Sequence, residues 1–135
     1  RILKMEVRTV MVLMPEYELI GDYRRDLLDD YRNAGLEVIH CPIEDFGVPQ
    51  KIEGKDGCIE YIERLWTALG EGPALVHCAA GLGRSGLVAA CLLVRAGQSA
   101  GLAVTRVRSA RPGTLQTLEQ EEFVKRFERS LRKRG

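Results

Sequence analysis

The 135 residues carry 20 Lys and Arg against 19 Asp and Glu, a net charge of +1, and 45% of them are hydrophobic. That is the balance of one folded domain, and it excludes a disordered chain, a collagen and a coiled coil. The longest apolar stretch, Leu87 to Val94, is too short to cross a bilayer. Residues 1–8 alternate charge with hydrophobe, which is no signal peptide. The chain opens on Arg1 rather than Met and reads as a piece of a longer protein. Residues 1–72 hold 9 basic and 15 acidic side chains and residues 73–135 hold 11 and 4, a polarity that either steers an anionic ligand to the second half or reflects solvated helix faces, which give the same statistics.

Val7 to Met14 is rich in β-branched residues and stops at Pro15, which predicts a buried strand. The spacing of Tyr23, Leu27, Leu28 and Tyr31 predicts a helix over 22–34, ended by Gly35. A second strand is expected over 36–41, then a loop with Pro42, Gly47 and Pro49. Ile59, Ile62, Leu65, Trp66 and Leu69 form the core stripe of a helix over 56–69, closed by Gly70 and Gly72. A third strand over 74–77 leads to an apolar helix over 84–96, bounded by Gly97. Two further helices are expected at 102–110 and 117–132, split by Pro112-Gly113, the second opened by a Thr117/Gln120 capping box. Strands alternating with helices imply an α/β layer built on a mainly parallel sheet.

Four cysteines at 41, 58, 78 and 91 include no C-x-x-C and are too few for a disulfide scaffold. A reducing cytoplasm is the expected compartment. Cys58 and Cys91 fall on predicted helices and read as core.

The chemistry lies in His77 to Gly86, H-C-A-A-G-L-G-R-S-G, between a predicted strand and a predicted helix. Gly81, Gly83 and Gly86 fit the dinucleotide fingerprint, but the acid needed about twenty residues on is missing, since the first carboxylate after Gly86 is Glu119. No G-K-[ST] is present, which excludes the Walker loop. Cys78 and Arg84 bracket Ala79, Ala80, Gly81, Leu82 and Gly83, a run small enough to curl its N–H groups onto one point. The helix starting near Arg84 adds its positive end. Such a cradle suits a phosphate dianion, and it also favours the thiolate of Cys78, the nucleophilic form. Arg84 supplies a planar fork for two phosphoryl oxygens. Ser85 can donate a hydrogen bond to the sulfur as it leaves, and His77 orients the loop from behind.

This loop resembles the H-C-x-x-G-x-x-R-[ST]-G signature of the cysteine-dependent protein tyrosine phosphatase superfamily. P-I-E-D-F-G-V-P (42–49), G-L-G-R-S-G-L-V-A-A-C-L-L (81–93) and Gln116-Thr117 are most similar to its dual-specificity type, in the branch of the cyclin-dependent kinase-associated phosphatases. The resemblance implies an α/β fold with helices on both faces of a central parallel sheet, forming one catalytic domain over residues 1–135. The N-terminal strands usual in such domains are not in the sequence. It also implies a general acid on a loop thirty-odd residues upstream, which Asp45 fits at 33 residues before Cys78, with Glu44 as the competing acid. Gln116 stands near the position that places the hydrolytic water in relatives. The implied activity is dephosphorylation of phosphotyrosine and phosphoserine or phosphothreonine through a phosphocysteine, with no cofactor and no metal. The implied partner is a phosphorylated protein, a protein kinase among the candidates, met by a monomer without nucleic acid or membrane.

Alternatives stay open. The neutral Ala79, Ala80 and Leu82 disfavour, without removing, a phosphoinositide or RNA 5′-phosphate substrate, and a phosphoprotein-docking module with weak catalysis is a rival of another class. His40, Cys41, His77 and Cys78 form a conceivable metal set. Cys41 is a conceivable disulfide partner of Cys78. Arg108 and Arg111 either widen the phosphate field or lie on a solvated helix face.

Overall fold

Three short strands, each rich in β-branched or aliphatic residues, pair in parallel: β1 (Thr9–Val12), β2 (Glu37–His40) and β3 (Ala74–His77), in the order β2-β1-β3. This computed structural model describes residues 7–23, 27–44, 47–48, 58–77, 83–115 and 117–134. They fall into two compact units, residues 1–44 with 49–79, and residues 45–48 with 80–135.

In the first unit Val10 stands opposite Val38 on one side and Leu75 on the other. These three share a face of the sheet, since side chains alternate along a strand. Val10 and Val12 are packed there with Leu19 of α1 (Glu16–Tyr23) and Leu28 of α2 (Leu27–Asn33). Within the helix expected at 22–34, α2 covers residues 27–33, and residues 22–23 are the end of α1. α1 was hidden in the sequence because Pro15 reads as the end of a strand, yet its carbonyl accepts the N–H groups of Glu18 and Leu19 and so starts the helix. Glu16 and Glu18 suit the positive end of that first turn. Gly35, at φ +87°, ends α2 as expected, with its N–H on the Arg32 carbonyl and the Leu36 N–H on the Tyr31 carbonyl. α3 (Cys58–Glu71) packs on β2 and β3, burying Ile62 and Leu65, whereas Leu69 is exposed and Trp66 only half-buried, so the expected stripe is narrower than its spacing suggests.

The second unit is helical. α4 (Gly83–Arg95) packs against α5 (Ala100–Ala110) and α6 (Leu118–Arg134). Ala90, Cys91 and Val94, Ala103, Val104 and Val107, and Phe123, Val124 and Phe127 are among its buried residues. Ser99 caps α5, its hydroxyl accepting the Leu102 N–H at 3.2 Å. The capping box of α6 is formed: the Thr117 hydroxyl accepts the Gln120 N–H at 3.1 Å, and Gln120 Oε1 accepts the Thr117 N–H at 3.4 Å.

Candidate active site

In a parallel sheet, ligands bind beyond the carboxyl ends of the strands where the winding reverses. Here the order β2-β1-β3 reverses at β1, and β3 ends on His77, directly before Cys78. Leu13, the residue after β1, donates its N–H to the His77 carbonyl at 2.9 Å and accepts the Ile43 N–H at 2.9 Å. One residue thereby tethers the chain immediately before Cys78 and the chain two residues before Asp45. The Cys41 N–H adds a bond to the Val12 carbonyl at 3.0 Å, continuing the ladder outward along the same edge. These are main-chain bonds, so the sheet delivers both loops whatever side chains they carry.

His77 is half-buried, and burial holds its pKa below the ordinary 6.5, so its ring is neutral at pH 7. Its Nδ1 pairs with the Tyr31 hydroxyl of α2 at 2.9 Å, the two rings meeting edge to face. Tyr31, read from its spacing as a helix-stripe residue, is therefore a support of the residue before Cys78. Glu44, the competing acid, is exposed, and its carboxylate accepts the hydroxyl of Tyr17 in α1.

In the second unit, Gly83, Arg84 and Ser85 form the first turn of α4. Arg84 is only 3% exposed. A guanidinium this buried lies at the positive end of α4, where the helix dipole favours negative charge. Gly86 follows because nothing larger fits: a Cβ there would stand 2.8 Å from Thr114 Cβ and 3.2 Å from Thr114 Cγ2. Ser85, Gly86, Ala89, Val107, Ala110, Arg111 and Thr114 line a cleft of about 210 Å³. Arg111 lines this cleft together with Ser85 and is itself exposed.

Arg108 is not the solvated charge its spacing allows. Its Nη2 donates to the Leu115 carbonyl at 2.7 Å and pairs with Glu121 at 3.2 Å, and its Nε donates to the Thr114 carbonyl at 3.5 Å. It braces a strained segment, for Leu115 is buried with φ +53°, a left-handed backbone that only a few per cent of non-glycine residues adopt. Gln116 comes next in the chain.

Cys78, Ala79, Ala80, Gly81, Leu82, Asp45 and Gln116 lie outside the described residues. Of the conceivable metal set, His40 Nε2 bonds the Met14 carbonyl at 2.8 Å, His77 Nδ1 bonds Tyr31, and Cys41 is buried. Among the described residues no three His, Cys, Asp or Glu are grouped to hold a metal, and no helix is long and apolar enough to cross a membrane.

The fold is that of the dual-specificity protein tyrosine phosphatases: a parallel sheet with helices, shared with solved phosphatase structures. A crystal structure of kinase associated phosphatase, with its catalytic-site cysteine replaced by serine, superposes with a TM-score of 0.79 at 34% identity, over 93% of this chain and 71% of that one. A mutant form of a phosphatase called Tk-PTP gives 0.73 at 33% identity, over 96% and 82%. Residues 2–103 match the family model described as cyclin-dependent kinase inhibitor 3 (CDKN3), and the chain belongs to that family. Human cyclin-dependent kinase inhibitor 3 is 38% identical over 129 residues, which is 93% of this chain. The chain spans 59% of that relative's length.

Proposed function

We propose that this chain is one metal-independent catalytic domain that hydrolyses phosphate monoesters on proteins through a phosphocysteine. The observation that carries the reading is the tether at Leu13, from which the chain leads into Cys78 on one side and toward Asp45 on the other. The buried Arg84 in the first turn of α4, separated from the thiol by the residues 79–83, supports it further. Family membership and the phosphatase names of the structural relatives point the same way.

The Cys78 thiolate attacks phosphorus in line with the ester oxygen, held by the backbone of 79–84 and by Arg84. As the S–P bond forms and the P–O bond breaks, Asp45 gives its proton to the departing oxygen. Asp45, now a carboxylate, takes a proton from a water placed by Gln116. That water attacks phosphorus, the P–S bond breaks, and Ser85 donates a hydrogen bond to the returning thiolate. Glu44 is the weaker choice of acid, because its carboxylate is engaged by Tyr17.

Phosphotyrosine, with phosphoserine or phosphothreonine, is the substrate class, on a phosphoprotein such as a protein kinase. The neutral side chains inside the loop disfavour a multiply charged inositide. The protein works as a cytoplasmic monomer, without nucleic acid or membrane.

Two variants test the assignment together. Cys78→Ser should abolish turnover of every phosphate ester while phosphate analogues still bind. Asp45→Ala should lose about 10²–10⁴-fold on phosphopeptides, the usual share of general acid catalysis, and much less on aryl phosphates with acidic leaving groups. Substantial turnover by Cys78→Ser overturns the nucleophile. An Asp45→Ala rate as insensitive to leaving-group pKa as the wild type moves the acid to Glu44.

A further inference from the structure

The Gln120 side chain is fully buried, and its two ends do different work. Oε1 closes the capping box on the Thr117 N–H, and Nε2 donates to the carbonyl of Gly47 at 3.0 Å, across 73 residues of sequence. The amide orientation is forced: a donor faces one end and a carbonyl faces the other, and only this arrangement satisfies both. A capping box alone asks for nothing but an acceptor, which glutamate supplies as well. A glutamate at 120 would turn an ionised oxygen toward the Gly47 carbonyl, so glutamine is the residue that serves both the helix cap and the loop.

Gly47 is two residues beyond Asp45, and Thr117 directly follows Gln116. We propose that Gln120 is a positioning residue for the general acid: by holding the Gly47 carbonyl it fixes the loop that carries Asp45 to the start of α6. This rests on the reading of Asp45 as the acid. Proton transfer needs donor and leaving oxygen within about 2.6–3.2 Å, and small misplacements of reacting groups are costly in rate. A loop released from Gln120 presents Asp45 less often in that geometry, while the thiolate and the phosphate cradle are untouched.

The expected signature is a loss that depends on the leaving group. In the full chain, Gln120→Met keeps the side-chain length and removes both polar ends. It should slow phosphopeptide hydrolysis by roughly 10-fold or more, a part of the general-acid contribution, and barely slow an aryl phosphate with an acidic leaving group. Vanadate affinity should not change. Thr117→Val removes the cap hydroxyl and spares the Gly47 bond. It should lower the Tm yet keep the wild-type dependence on leaving-group pKa. Added to Asp45→Ala, Gln120→Met should cost no further rate, as two changes acting through one group do. If Gln120→Met does not fold, Gln120→Glu, which keeps the cap acceptor, is read the same way.

Equal losses across the ester series, or a further loss on the Asp45→Ala background, overturn the positioning role and leave Asp45 as the acid. If Asp45→Ala itself shows no added sensitivity to the leaving group, the acid assignment and the role of Gln120 fall together.

Discussion

The carboxyl end of the sheet and the α4–α5–α6 unit are held by different kinds of bond. At the sheet end the bonds are main chain to main chain: Leu13 to His77, Ile43 to Leu13, Cys41 to Val12. In the helical unit they depend on particular side chains: Arg108 on the Leu115 carbonyl, the Thr114 hydroxyl on the Arg111 carbonyl at 2.8 Å, and Gln120 on the Gly47 carbonyl. A ladder of backbone groups tolerates any residue that keeps the strand conformation, whereas a side-chain brace is lost with one substitution. The first region is therefore expected to absorb mutation and the second to report it.

The largest effect is expected at Gly86. An added Cβ would meet Thr114 Cβ at 2.8 Å and the Leu115 N at 3.4 Å, and overpacking of this kind costs typically about 1–3 kcal/mol. Gly86→Ala should lower the denaturation midpoint and the rate together, because α4 and the segment carrying Leu115 must move apart. The counterpart at the sheet end is Leu13→Met, equally buried but with its main-chain bonds intact, which should cost under about 1.5 kcal/mol. Equal losses in urea titrations of the two variants would break the comparison.

A smaller effect belongs to Arg108→Met, which keeps the aliphatic stem and removes the brace. Its side chain is 40% exposed, so solvent recovers part of what is lost, and a cost of about 1 kcal/mol is expected. The kinetic consequence separates it from a surface charge. With the backbone before Gln116 loosened, hydrolysis of the phosphocysteine should slow more than its formation, and the burst of released phenol should grow. An unchanged burst would return Arg108 to the solvated face that its spacing allows.

The difference between the regions also explains what the sequence discloses. Strands, glycine stops and the loop from His77 to Gly86 are contiguous patterns, so β1 to β3, the stops at Gly35 and Gly97, and the start of α4 near Arg84 follow from local rules. The Gln120 capping box spans three residues and is equally visible. Its second bond spans 73 residues and is not, although glutamine in place of the commoner glutamate is a faint mark of it. Tyr31 and His77 stand 46 residues apart, and only the sheet order brings them together. α1 escaped for a local reason, because a proline after a strand reads equally as an end and as the carbonyl that begins a helix.

The smallest effect sharpens the comparison at an exception to it, since Tyr31 is a side-chain support within the sheet region. Burial lowers the pKa of His77, so the folded state prefers the neutral ring and the unfolded chain binds a proton first as pH falls through 6.5. The contribution of His77 to stability is thus fully present above 6.5 and is lost as pH drops through the lower value of the folded state. His77→Gln should flatten that part of the stability curve. Tyr31→Phe keeps the edge-to-face ring contact and deletes the hydroxyl, which should cost about 0.5–1.5 kcal/mol at pH 7, the net worth of one hydrogen bond. The direction of the bond then shows in its pH dependence. A hydroxyl that donates to the neutral Nδ1 loses its acceptor when the ring is protonated, so the cost of Tyr31→Phe should shrink toward zero below the folded-state value. A ring N–H that donates to the phenol oxygen survives protonation, and the cost would then stay constant. Burial favours the neutral ring, and a donating hydroxyl favours it too, so the shrinking cost is the expected result. Urea titrations of the wild type and Tyr31→Phe across pH 5 to 8 measure it, and no loss at pH 7 would mean that the sheet end stands on its backbone bonds alone.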